Sequence, residues 1–119
     1  MRRLAADHPW QLVLGLSVWA VWFVVVYGGL SVACAVAPPA PERGSLTAVN
    51  AGLGLLTLAT TLLLAWAAWA CARAARRPPD SPDAVRRRFI ARTAAVLHAV
   101  AAVSTVFVGL PLLALSPCV

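Results

Sequence analysis

The segment RAARRPPDSPDAVRRRFIAR, residues Arg73 to Arg92, holds seven of the chain's ten arginines between two long apolar runs. Arginines beside hydrophobic spans stay on the cytoplasmic side, because carrying each guanidinium across hydrocarbon is costly and the bias acts over short loops. Arg73, Arg76, Arg77, Arg86, Arg87, Arg88 and Arg92 therefore mark an inside face. They set the topology, and their expected counterpart is the anionic headgroup layer of the bilayer.

Composition agrees with a membrane setting. Of 119 residues, 61% are hydrophobic and 12% charged, against about 25% charged in ordinary soluble domains. Mean hydropathy is +0.83. The net charge of +6 lies beside apolar runs, so lipid and not nucleic acid is the expected partner. All ten basic residues are arginine in an alanine-rich chain, which points to a GC-rich bacterial source and hence to a multi-pass protein of the bacterial inner membrane.

Outward from the arginine-rich segment, the apolar runs define three spans over residues 11–37, 46–72 and 89–115, with residues 73–88 as the inside loop. Each exceeds the roughly 20 residues needed to cross hydrocarbon as a helix. The expected fold is all-α: residues 1–119 form one membrane domain, a three-helix bundle with its amino terminus cytoplasmic and its carboxyl terminus periplasmic. Arg2 and Arg3 before the first run, with Ala33-Cys34-Ala35 further on, resemble a cleavable signal, but the run is too long for a signal core of 7–15 residues. Pro38 to Gly44 forms an outside turn, and Ser45 is placed to cap the second helix. Ser81-Pro82-Asp83 supplies a cap, a proline at the first helical position and an acid against the helix dipole, so the third helix starts before the membrane.

Catalysis has little to work with. The four carboxylates, Asp7, Glu42, Asp80 and Asp83, all lie outside the spans, and no phosphate-binding or zinc-protease pattern occurs. Neither an enzyme nor a resident cofactor or metal is expected. His98 is the ionisable residue within a span, near the membrane midplane. It reads either as a ligand or proton-carrying group, or as packing glue bonded to Thr57, Thr60 or Thr61, or to the indole of Trp19 or Trp22; the packing reading is preferred. Small residues recur four apart as Gly29, Ala33 and Ala37, as Ala48 and Gly52, and as Ala101, Thr105 and Gly109, consistent with packing of the three helices.

At about 1.5 Å per residue, Cys34 and Cys118 both reach the outer face whereas Cys71 ends at the inner one. Two thiols in an oxidising compartment read as a disulfide, with Pro111 and Pro117 favouring an extended tail that folds back over the bundle. A copper(I) site on the same two sulfurs is the alternative.

Trp19, Tyr27, Cys34 and Pro111, together with Leu115-Ser116-Pro117-Cys118, resemble small bacterial three-span proteins found with aerobic terminal oxidases (cytochrome c oxidase) and alternative complex III. Where that pattern often has a histidine and a polar residue in the first helix, this chain has Trp22 and Val24. The resemblance implies a non-catalytic accessory or assembly role, with terminal oxidase subunits as protein partners. Rival readings are a small oligomeric transporter or channel subunit, which needs a continuous polar stripe, and a copper-handling factor for oxidase assembly.

The topology has a direct test. A reporter active only in the periplasm should be silent when fused after Arg77 and active after Val119; the reverse pattern would invert the bundle.

Overall fold

The computed structural model describes residues 8–36 and 48–114, and in them the chain forms three helices and no strand. They are α1 (Gln11–Val36), α2 (Ala48–Ala75) and α3 (Pro82–Ala114). All three are long and apolar enough to cross a membrane, which makes this an all-α, multi-pass membrane bundle. The turn at residues 38–44 and the Ser45 cap lie outside the described residues, as does residue 115 at the end of the expected third span.

α2 runs past the expected residue 72 to Ala75, where Arg76 N–H and Arg77 N–H still donate to the carbonyls of Arg73 (3.2 Å) and Ala74 (3.3 Å). Pro78 then ends it, because proline offers no amide donor and disfavours helical geometry in Arg77. α3 begins as its sequence predicts: Ser81 Oγ accepts from Ala84 N–H at 3.1 Å, Pro82 is the first helical residue and Asp83 sits in the first turn. Arg88 Nε donates to the Ala75 carbonyl at 2.8 Å, so an α3 side chain closes an orphan acceptor at the end of α2. At the other end α3 stays helical through Pro111 to Ala114, so the expected extended tail does not begin at Pro111. Among the described residues of that turn, the proline costs one backbone donor without breaking the helix.

The buried face of α3 is a row of small residues: Ala91, Ala94, Ala101 and Ala102, with His98, Thr105 and Gly109 on the same stripe. Spacings of three and four keep these on one side of a helix. α2 answers with Asn50, Thr57, Leu64 and Cys71, seven residues apart, and α1 with Gln11, Gly15, Trp22 and Val26. Of the three small-residue rows in the sequence, the one through Ala101, Thr105 and Gly109 packs inside the bundle. Gly29 and Gly52 have nothing within 4 Å of where a side chain would start, and Ala48 is exposed. Those two rows do not serve packing within the chain at these positions.

A Cβ on Gly109 would approach Thr57 Cγ2 within 2.5 Å, so the two helices touch where the smallest residue meets a β-branched one. Gly109→Ala should therefore destabilise the bundle by about 1–3 kcal/mol, the range for overpacking. Adding Thr57→Ser removes the offending methyl but keeps the hydroxyl, and should restore most of the loss in a detergent unfolding titration. Failure of the double variant to recover would mean that this contact is not the tight point of the seam.

Candidate functional site

The buried polar groups gather at two levels. At the first, Trp22 Nε1 donates to Thr57 Oγ1 at 3.2 Å, and the same hydroxyl donates to the Leu53 carbonyl at 2.7 Å. Thr57 thus uses one oxygen as acceptor toward α1 and as donor within its own helix. Thr61 and Thr105 also bond back one turn, to the carbonyls of Thr57 and Ala101, both at 2.8 Å. Such back-bonding satisfies a hydroxyl inside its own helix.

At the second level, His98 Nε2 lies 2.9 Å from Gln11 Oε1, and Cys71 Sγ lies 3.9 Å from the same oxygen. Side chains lean toward the amino end of their helix, and α2 and α3 run in opposite directions. Cys71 and His98 therefore lean toward one another, and Gln11 closes the gap from α1. An amide oxygen facing a thiol and a ring nitrogen acts as acceptor to both, which places the histidine proton on Nε2 and leaves Nδ1 an acceptor. That nitrogen faces Gly15, where any Cβ would collide with it. Neither His98 Nδ1 nor the buried Trp19 Nε1 finds a hydrogen-bond partner among the described residues.

The expected partners of His98 are corrected accordingly. Thr57 is taken by Trp22, Thr61 by its own helix, and the residue that meets His98 is Gln11, which the sequence places at the membrane boundary. Gln11 is buried because α1 and α3 run parallel with its first turn beside the middle of α3. Its signal was present: Gln11, Gly15, Trp22 and Val26 follow the period of one helix face.

The arginines separate into distinct positions. Arg73 lies in the last turn of α2 with its guanidinium 4.8 Å from the centroid of the Trp69 ring. Arg76 and Arg77 follow in the turn, Arg86 and Arg87 are exposed in the first turns of α3, Arg88 is half-buried against Ala75, and Arg92 is exposed one turn further on. Cys34 is half-buried in α1, Cys71 is a buried free thiol, and Cys118 lies outside the described residues. Among the described residues no group of three or more His, Cys, Asp or Glu is placed to hold a metal ion. Chemically, the inner cluster is a donor–acceptor clasp between three helices. Comparison with protein families, characterised proteins and solved structures finds no match for this chain.

If the clasp is packing, a double-mutant cycle of Gln11→Leu and His98→Leu should return a coupling of about 0.6 kcal/mol, the average for such bonds in membranes. His98→Gln should leave the folded population nearly unchanged. A coupling near zero would remove the bond from the account of stability.

Proposed function

We propose that the chain is a non-catalytic accessory or assembly protein of a respiratory oxidase complex in the bacterial inner membrane, with its arginine-rich end cytoplasmic. The observation that carries the non-catalytic part is the use of the buried polar groups: Gln11 with His98, Trp22 with Thr57, and hydroxyls bonded back into their own helices. The first two pairs hold helices together, where hydrophobic burial gives no drive for association in lipid, and the back-bonded hydroxyls are satisfied within single helices. The oxidase partnership rests on the resemblance carried by Trp19, Tyr27, Cys34, Pro111 and the Leu115 to Cys118 segment. Two of those residues belong to an aromatic ladder on α1, Trp19–Phe23–Tyr27, with ring centroids 5.3 and 4.6 Å apart and Phe23 and Tyr27 exposed. That ladder is a ready contact for a neighbouring span.

A Cys34–Cys118 disulfide is part of the proposal, as a tie between the first helix and the segment after α3. It is supported by the positions of the thiols: Cys34 lies in the last turn of α1, at the end away from the arginine-rich turn, whereas Cys71 is a buried free thiol near that turn.

Deleting the gene should lower the oxidase haem signal in reduced-minus-oxidised spectra of membranes and slow oxygen uptake, with restoration by the His98→Gln variant. Unchanged spectra and respiration would sink the oxidase role. Thiol counting addresses the disulfide: unreduced, denatured protein should present one reactive thiol, Cys71, and reduced protein three. In the folded state even Cys71 should label slowly, because it is 1% exposed. Three thiols without reduction would exclude the bridge.

A further inference from the structure

Beyond the general attraction of arginine to headgroups, one discrete concavity stands out. At the arginine-rich end, residues of α2, α3 and the turn between them line an open groove of about 1030 Å³, with Trp66 and Trp69 among its α2 residues. Its rim carries Arg73, Arg76, Arg77, Arg87 and Arg88 against a single acid, Asp80. Arg86 and Arg92, equally basic and in the same stretch of sequence, do not line it.

We propose that this groove holds one anionic phospholipid, its phosphate among the guanidinium groups and its glycerol and upper acyl carbons along the two indoles. The excess of cations selects an anion. The tryptophans select an amphiphile: they are 63% and 55% exposed at the end of a long apolar helix, where indole rings favour the headgroup level. An inorganic anion would gain nothing from those indoles. Two of the arginines are held in place before any ligand arrives, Arg73 stacked on Trp69 and Arg88 bonded through Nε to the Ala75 carbonyl. Such preorganisation lowers the ordering cost of binding. Basic pockets between membrane helices are suited to acidic lipid headgroups for the same reasons. The site depends on the membrane-spanning fold and not on the oxidase partnership, so either can fail alone.

The test uses the full chain, purified in mild detergent, stripped of lipid and offered an equimolar mixture of dioleoylphosphatidylglycerol and dioleoylphosphatidylcholine, with retained lipid read by native mass spectrometry. One phosphatidylglycerol per chain should be kept in preference to phosphatidylcholine. Arg73→Gln with Arg77→Gln should weaken retention by about thirtyfold, equivalent to about 1 kcal/mol per arginine near anionic lipid. Arg86→Gln with Arg92→Gln removes the same charge outside the groove and should leave retention intact. Trp66→Leu with Trp69→Leu, which leaves the charge untouched and the helix apolar, should weaken retention as well. Equal losses in the two arginine pairs would reduce the effect to net charge and overturn the site. Equal retention of phosphatidylcholine, or full displacement by millimolar inorganic phosphate, would overturn it too.

Discussion

Everything in this bundle depends on how closely α3 lets its neighbours approach. Its inward stripe is made of alanines, with Gly109 meeting Thr57 and His98 meeting Gly15. In hydrocarbon the lipid tails are as apolar as any leucine, so helices associate through close contact and a few polar bonds. The small stripe supplies the contact, and it also sets where polar groups can meet. Trp22 reaches Thr57 because the adjacent α3 residue at that level is a glycine; Gln11 reaches His98 because Gly15 leaves room for the ring.

Polar satisfaction follows from the same geometry. Thr57, Thr61 and Thr105 return their hydroxyl protons to their own helices, and only Thr57 also accepts across the bundle. As a result the protons of these three hydroxyls are spent inside single helices, and only the lone pairs remain to face a neighbour. The Gln11 amide oxygen is the single acceptor that both the Cys71 thiol and the His98 ring share. Loss of Gln11 would therefore disturb two helices at once, whereas loss of Cys71 would remove one long, weak polar contact together with the packing of a fully buried thiol.

The spans and the Ser81 cap were legible because they depend on local sequence: run length, a proline and a serine at set positions. The Ala101–Thr105–Gly109 row was legible too, but nothing local distinguished it from Ala48–Gly52, which faces away from the bundle. Choosing between them needs the axial offset of the helices, and offset is a property of packing. The same holds for His98. Assigning its partner from depth alone assumed that all three helices enter the membrane at one level, which placed Gln11 too far away. The groove at the α2–α3 turn was half legible: the arginines and tryptophans were visible, but the rotation that admits Arg87 and Arg88 and excludes Arg86 and Arg92 appears only once the hairpin is closed.

That offset has a further consequence. Thr57, Trp22 and Gly109 share one level. From there toward the arginine-rich end α3 continues for about 40 Å to Pro82 and α2 for about 27 Å to Ala75, whereas α1 reaches Gln11 after about 17 Å. Among the described residues, then, the basic end is built by the α2–α3 hairpin alone, and the Gln11 clasp marks the level at which the third helix joins. Charge and clasp are separated along the axis, so a ligand or partner at the arginine-rich end would act on a two-helix element held by Arg88 and Ala75. The polar contacts nearest that end through which α1 meets the hairpin are those of Cys71 and His98 with Gln11, with Trp22–Thr57 lying further along the axis. The clasp is accordingly the first polar contact, counted from the basic end, that ties the hairpin to the helix carrying the aromatic ladder.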